Sequence, residues 1–539
     1  MEKKKIGNSY RMIWCAMILL QVFVIIFWGN VKEGFFIDEL YTLEGAQKSG
    51  YDIGLNMDGY KWQTEPNFFE TWHESDEFIE HVTVHKSDWV FYGPFVQGIK
   101  KFLSNPYYVL INIVSCANFG NFSKWYAIGF NIFLFVLAQI ILHQLILKVS
   151  NSKKDAFMVN MLYGFSAGAI STAIFVRFYM LSVLMTIITA YVLYLLWNNK
   201  DNIKKEIAEI FLLLAVIYLG YRVHQYILVW SAVLCLVYVC ALISKREWKK
   251  LTAYMGIFIV AGIGYLSKNS ISDMLSGKQG EAAVENLFHK PIVNTIKDIA
   301  SYIATIVEQV LGNKYFCIAV FVIAFIYLFL RKRKKIYETI TIKEKFAMIV
   351  IVCVAMYILI IGRICPWVSW RYVSNIFPMV VLGVYMIVSS IIERCFDEKK
   401  AWIAVSIYFF ISLCLSYNVN VIKELHLGAR SEAMTLATGY ADVDSIFVYD
   451  GNEGRLYLNS YIYAPNTRVF ITEKSTFDEN TIFDAEEQVP DEILVWVSAV
   501  NEDYKDTVNY FVEHSSYKQS ELLLDRSRHN ECYYVYLLK

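Results

Sequence analysis

Apolar residues along this chain come in long unbroken runs, separated by short polar segments. The first run covers about Arg11 to Gly29. Others centre on Phe130 to Leu147, Ala156 to Phe175, Tyr179 to Trp197, Ile207 to Leu219, His224 to Ile243, Leu251 to Leu266, Tyr315 to Leu330, Phe346 to Ile361, Tyr372 to Ile392 and Ala401 to Leu415. A helix rises about 1.5 Å per residue and needs about 20 apolar residues to cross a bilayer core, which predicts about eleven transmembrane helices. The basic start and apolar core of the first run are those of a secretory signal, but no small-residue cleavage site follows, so it is expected to remain as a span.

The polar punctuation carries a second pattern. Lys3-Lys4-Lys5, Lys153-Lys154, Lys204-Lys205, Lys245-Arg246 with Lys249-Lys250, Arg331 to Lys335, and Lys399-Lys400 fall before the first span and then after every second one. By the positive-inside rule all of them lie in the cytoplasm, in a multi-pass protein of the cell membrane. The chain start is then cytoplasmic and, with an odd number of spans, the chain end is extracytoplasmic. A missed span would scatter the later clusters onto the wrong side. What remains outside is a large loop from Asn30 to about Asn105, turns at Arg177 and Tyr221-Arg222, the loop from Ser267 to about Lys297, the turn from Arg363 to Arg371, and the C-terminal tail.

Composition agrees with a membrane as solvent: 56% of residues are hydrophobic and only 19% charged, with a mean hydropathy of +0.38. Net charge is formally zero, so no global field points to nucleic acid. Seven of the ten cysteines lie in or beside apolar runs without CxxC pairing or ligand spacing, as small buried apolar residues do. Gly164-x-x-x-Gly168 lets helices approach closely. From about Ile422 to Lys539 the character changes: DSIFVYD, RVFITEK, EILVWVSAV and CYYVYLL alternate with polar, helix-compatible stretches such as NEDYKDTVNYFVEH. This predicts a small α/β domain outside the membrane, following a transmembrane domain over residues 1–421 that includes the loop 30–105.

Candidate chemistry gathers on the outer side. Asp38 and Glu39 emerge after the first span, where a partly desolvated carboxylate can act as a base; alone, such a pair is more often a polar helix start. FVRFYMLSV places Arg177 and Tyr179 at one boundary, LGYRVHQYILVW adds Arg222, His224 and Tyr226, and RICPWVSWRYVSNIFP adds Arg363, Arg371 and Tyr372. Snorkelling and interfacial aromatic belts account for any one of these. They account less well for arginine recurring on the face where orientation predicts little positive charge. Arginine offers a fixed fork of donors suited to phosphate, so several around one acid point to a lipid-phosphate site with a base nearby. The acidic, aromatic stretch Tyr51 to Leu103 fits amphipathic interfacial helices. His73, His81 and His85 do not make a metal site, because Val82-Thr83-Val84 favour an extended strand over the helix that would align them.

Taken in order, the acidic pair after the first span, Arg177-x-Tyr179, His224-x-Tyr226 and Arg371-Tyr372 resemble the GT-C superfamily of membrane glycosyltransferases, in particular bacterial relatives of protein mannosyltransferases and the aminoarabinose transferase of lipid A. The segment MLSGKQGEAAVEN, Met274 to Asn286, has a counterpart there, and the resemblance spans roughly the first 390 residues. It departs at SNPYYVLIN, which keeps Pro106, Tyr107 and Tyr108 but has Asn105 and no histidine where family members carry His-Pro-Pro-x-Tyr-Tyr. No role of that histidine is carried over.

The resemblance implies an all-α, GT-C-like polytopic membrane protein with a small C-terminal extracytoplasmic α/β domain. It implies a hexosyl- or pentosyltransferase moving sugar from a polyprenyl-phosphate donor to an extracytoplasmic hydroxyl of a glycan, lipid or protein, with inversion. Asp38 is the expected general base, with Glu39 orienting it or binding the acceptor. Arg177, Arg222 and Arg371 are the expected phosphate clamps, and Tyr179, Tyr226, Tyr372 and His224 the polar contacts. No cofactor is certain from the residues; a divalent metal is left open and is not indicated. A polyprenyl-lipid flippase is the competing reading, since it too would hold phosphate with arginine; transporters, however, place charges near the midplane and show repeated halves, and neither is evident here. A membrane scaffold whose tail binds a partner would leave Asp38 without a task.

Overall fold

The structure, a computed structural model, describes residues 2–32, 35–47, 70–80, 82–92, 95–198, 203–265, 278–312, 341–395, 428–449, 467–473, 490–498, 504–525 and 533–539, with isolated positions between 315 and 414. The chain forms two compact units: Met1–Gly29, Leu103–Tyr107 and Ile128–Val421 in one, Asn30–Phe102, Tyr108–Ala127 and Ile422–Lys539 in the other.

The first unit is helical. Its long apolar helices are α1 (Glu2–Val31), α2 (Lys124–Ser150), the pair α3 (Lys153–Gly164) and α4 (Ala167–Ile174), α5 (Tyr179–Asn198), α6 (Ile203–Val223), α7 (Tyr226–Ser244), α8 (Trp248–Tyr265), α9 (Ile342–Ile364) and α10 (Phe377–Cys395). Among the described residues six helices are long and apolar enough to span, or seven if α3 and α4 count as one. The expected eleven goes beyond this. Helices α6 and α8 do form over two further expected spans, but Lys204, Lys205, Glu206 and Glu209 crowd the start of α6, and Lys249-Lys250 the start of α8. The runs at Tyr315 to Leu330 and Ala401 to Leu415 fall largely outside the described residues.

The expected single span at Ala156 to Phe175 is bent by 60° between α3 and α4. Ser166 explains the break. Its hydroxyl donates to the Tyr163 carbonyl and accepts from the Ala169 amide at 3.2 Å, capping a new helix where the old one ends. Polar side chains inside the bundle are bonded to one another, as an apolar surrounding requires. The Gln21 side-chain amide donates to the Asn160 carbonyl at 3.0 Å, that of Gln139 to Gln21 Oε1 at 3.2 Å, and Asn160 Oδ1 lies 3.0 Å from His143 Nδ1. Gly164 makes room for them, because a Cβ there would lie 2.3 Å from both the Gln21 and Gln139 side chains.

The second unit carries a six-stranded sheet in the order β1-β3-β2-β4-β6-β5: β1 (Thr71–Glu74), β2 (Ser445–Tyr449), β3 (Arg468–Glu473), β4 (Ile493–Ser498), β5 (Ser520–Asp525) and β6 (Tyr533–Leu538). The central strands β3, β2 and β4 are parallel, and both flanks are antiparallel. The four strand-like runs of the tail are β2, β3, β4 and β6, and the NEDYKDTVNYFVEH stretch carries the helix Tyr504–Glu513, which packs Val508 and Phe511 on Val495 and Val497. The edge strand β1 comes from the large first loop. Its Trp72 meets Phe470 at 5.3 Å and lies under the Arg468 guanidinium at 4.7 Å.

Elsewhere in that loop, Phe95–Ser104 is an amphipathic helix with Phe95, Val96 and Ile99 exposed along one face. Residues 82–84, expected as a strand, are non-helical but join no ladder; their side chains are buried. His73 pairs with Glu77 at 3.0 Å and His85 with Glu80 at 2.6 Å, while His81 lies outside the described residues.

Candidate functional site

Three turns of the first unit meet at one end of its helices. The first is Phe175 to Phe178, between α4 and α5. Here the Arg177 amide donates to the Phe175 carbonyl at 2.7 Å, a tight reversal in which the Arg177 guanidinium lies 5.0 Å from the Phe178 ring. The same carbonyl accepts from Asn131 Nδ2 at 2.8 Å, and Asn131 Oδ1 accepts the Tyr107 hydroxyl at 3.0 Å. A buried amide on α2 therefore fixes both the arginine turn and the Pro106-Tyr107 segment.

The second turn is His224-Gln225, between α6 and α7. The His224 amide donates to the Gly220 carbonyl at 2.9 Å, and glycine is needed there because a Cβ would come within 2.8 Å of Ile227. The imidazole is half-buried, its Nδ1 shielded from solvent and without a hydrogen-bond partner among the described residues. It packs against Phe178 at 5.1 Å, Tyr179 at 5.5 Å and Tyr226 at 4.9 Å between ring centres. Burial, and then the nearby Arg177 guanidinium, push its pKa down to about 3, so it is a neutral ring in the physiological range.

The third turn runs from Cys365 to Val373, between α9 and α10. The Tyr357 hydroxyl donates to the Tyr372 carbonyl at 2.7 Å, with Asn375 Oδ1 at 3.0 Å, which holds the turn from within the bundle. Trp370 faces Phe175 at 5.8 Å and Tyr179 at 6.3 Å. Tyr372 meets Tyr226 edge-on at 5.1 Å, and the Cys365 thiol donates to the Tyr226 hydroxyl at 3.1 Å. Burial raises the Tyr372 phenol to about 12 and the Cys365 thiol to about 11, so both are protonated donors. Burial lowers the pKa of Arg371, whose Nε donates to Ser369 Oγ at 3.0 Å.

Of the expected residues, the structure brings Arg177, Tyr179, His224, Tyr226, Arg371 and Tyr372 into one cluster. Arg222 stands at its edge, its Nε donating to the Ser104 carbonyl at 3.0 Å. Arg363 has a different occupation: its fork binds the Leu287 carbonyl at 2.8 Å and Thr295 Oγ1 at 3.0 Å, closing the C-terminal end of the helix Lys278–His289. That helix is the described part of the GKQGEAAVEN segment, and its Asn286 donates to the Cys365 carbonyl at 3.0 Å; residues 274–277 lie outside the described residues. Sequence reading missed Asn131, Tyr107, Tyr357, Cys365 and Trp370. Only Tyr107 had a signal, the retained Pro-Tyr-Tyr.

Asp38 and Glu39 belong to the second unit, in the first turn of the helix Ile37–Gly45. Glu39 is fully buried and accepts both carboxylate bonds from Lys32 Nζ at 2.8 Å, plus the Phe36 amide at 2.7 Å. Lys124 donates to the Lys32 carbonyl, holding the same corner from the start of α2. Asp38, beside it, is half-buried. At the far end of the helix, Asn112 Nδ2 donates to the Ala46 carbonyl at 2.8 Å and the Asp88 carbonyl at 2.9 Å, tying the helix to the rest of the loop.

The chain thus combines a bundle of apolar helices that carries polar turns at one end with a small α/β unit. Among solved structures, the fold is similar to that of ArnT from Cupriavidus metallidurans bound to undecaprenyl phosphate, with a TM-score of 0.55, 8% identity and 98% of each chain covered. It is equally similar to ArnT from the same organism in the apo state, with a TM-score of 0.54, 9% identity and 98% of each chain covered. By sequence, no protein family and no curated protein matches.

Proposed function

We propose that this protein is a membrane glycosyltransferase. It moves a hexose or pentose from a polyprenyl-phosphate donor to an acceptor hydroxyl outside the cell membrane, with its chain start in the cytoplasm and its C-terminal sheet outside. The observation that carries the reading is the convergence of Arg177, Arg371, His224 and three tyrosines in a fold similar to one solved with undecaprenyl phosphate.

In this reading the acceptor oxygen attacks the anomeric carbon while Asp38 takes its proton. The carbon–oxygen bond to phosphate breaks, the bond to the acceptor forms on the opposite face, and the configuration inverts. Charge developing on the departing phosphate is met by Arg177 and Arg371 and by phenol donors fixed beforehand in a poorly solvated site, where they act more strongly than in water. No separate acid is demanded, because polyprenyl phosphate leaves as a stable anion. Glu39, saturated by Lys32, acts as a positioning residue for the turn that bears Asp38. Arg222 tethers the Leu103–Tyr107 segment beside the clamp.

The test is Asp38→Asn in the full-length protein, with lipid binding and transfer to cell-surface glycans followed by mass spectrometry. Retained polyprenyl-phosphate binding with transfer reduced by roughly 10²- to 10⁴-fold is expected. Normal transfer removes Asp38 from its role. Lipid movement across the bilayer without any glycan product assigns the protein to the flippases instead.

A further inference from the structure

The end of the bundle that carries the basic clusters holds two adjoining cavities with complementary linings. One, of about 440 Å³, is an apolar groove between α5, α7 and α9, lined by Ala190, Leu193, Trp230, Leu234 and Ile349 among others, with Asn198 and Lys345 as polar members. The other, of about 680 Å³, is lined by Tyr238, Leu242, Lys245, Arg246, Glu247, Lys249 and Lys250. Trp197 lines both. Along α7 the groove takes Trp230, Leu234 and Val237 and the basic cavity continues with Tyr238, Ala241, Leu242 and Lys245, about 22 Å at 1.5 Å per residue. One leaflet of the hydrocarbon core is about 15 Å deep, so the two cavities together match a leaflet and its headgroup layer.

The charges are set for an anion. Four cations face one carboxylate in the lining. Lys250 is engaged with Glu206 at 3.4 Å and Glu247 at 3.7 Å, which leaves Lys245, Arg246 and Lys249 without an ion pair among the described residues. Lys245 Nζ sits 5.1 Å above the Trp197 ring, at the seam of the two cavities. Arg246 has φ +58°, a left-handed conformation in which glycine is the usual occupant. Its presence there keeps a guanidinium at the cavity mouth at a backbone cost.

We propose that these cavities form one binding site for an anionic glycerophospholipid of the cytoplasmic leaflet, with acyl chain in the α5–α7–α9 groove and headgroup phosphate on Lys245, Arg246 and Lys249. The site depends on the membrane orientation proposed above and is separate from the transfer chemistry, which lies at the other end of the bundle. Juxtamembrane cations attract anionic lipid, and an aromatic-lined groove selects a chain that the bulk bilayer does not hold in place.

Native mass spectrometry of the full-length protein in mild detergent tests this, with phosphatidylglycerol and phosphatidylcholine of identical chains as probes. Wild-type protein is expected to take up phosphatidylglycerol roughly 10-fold or more tightly than phosphatidylcholine, and the variant K245Q/R246Q/K249Q to bind both alike. Leu234→Trp fills the groove without touching charge and is expected to weaken phosphatidylglycerol as well. Equal binding of the two lipids by wild type, or unchanged preference in the triple variant, overturns the site. Full phosphatidylglycerol binding in Leu234→Trp reduces it to a charged surface and overturns the groove. Uptake of undecaprenyl phosphate in place of phosphatidylglycerol, with the same dependence on the three cations, overturns the phospholipid assignment. Sugar transfer by the triple variant stays at the wild-type level, so failure here is distinguishable from failure of the transferase reading.

Discussion

Asn131 holds Tyr107: the buried amide oxygen accepts the Tyr107 hydroxyl at 3.0 Å, while its nitrogen reaches the Phe175 carbonyl at 2.8 Å. One side chain thereby sets the position of two segments far apart in the chain. Asn131→Ala removes both of these bonds from buried groups, at a cost of about 1–3 kcal/mol. A lower Tm in detergent and a fall in transfer are expected together. Unchanged values of both show that the bridge is dispensable.

Arg371 lies beside Tyr372 in the arginine–tyrosine cluster, on a turn held by the Tyr357 hydroxyl, where the proposed function makes it a phosphate clamp. Arg371→Gln keeps a donor but removes the charge, and a charge-assisted bond contributes about 1.5–3 kcal/mol. Affinity for undecaprenyl phosphate should fall roughly 10- to 100-fold, as read by ligand titration in detergent. Charge reversal in Arg371→Glu should weaken it further. Wild-type affinity in both variants removes Arg371 from the site.

Lys32 and Glu39 form an ion pair with side-chain exposures of 1% and 0%. Taking one charge away strands the other, typically costing about 3–5 kcal/mol, whereas replacing both by apolar residues is often tolerated. Glu39→Gln should therefore lower Tm strongly, and Lys32→Met combined with Glu39→Leu should recover much of the loss. If the double variant is no better than the single one, the pair is not acting as a coupled unit.

His224 is held neutral among Phe178, Tyr179, Tyr226 and the Arg177 charge. Its folded pKa, about 3, lies below the ordinary 6.5, so protons bind the unfolded chain more readily. The stability this neutral ring contributes is intact above about pH 6.5 and is lost as pH falls from there towards about 3. Tm measured between pH 8 and pH 5 should decline at the acid end, and His224→Phe should flatten that decline. An identical pH profile in the variant assigns the acid sensitivity to other groups.

How much of this was legible beforehand follows from the range of each interaction. Helices α1, α2, α5, α7, α9 and α10 were readable because crossing a membrane is a property of a contiguous stretch. The strands β2, β3, β4 and β6 were readable from short β-branched and aromatic runs. Arg177-x-Tyr179, His224-x-Tyr226 and Arg371-Tyr372 could be named as polar residues at apolar boundaries. Their meeting could not be computed from the chain, because ring contacts such as Tyr226 on Tyr372 join residues on different turns.

The sequence alone determined the solvent, the positions of most helices and strands, and which polar residues stand at the apolar boundaries, since each depends on local composition. Tertiary structure decided that Ser166 breaks a span, that Arg363 caps a helix while Arg371 stays in the cluster, and that the loop strand β1 completes a sheet begun in the tail. Each of those outcomes rests on a hydrogen-bond partner distant in sequence or on competition between a side chain and the backbone, and such partners exist only once the chain has packed.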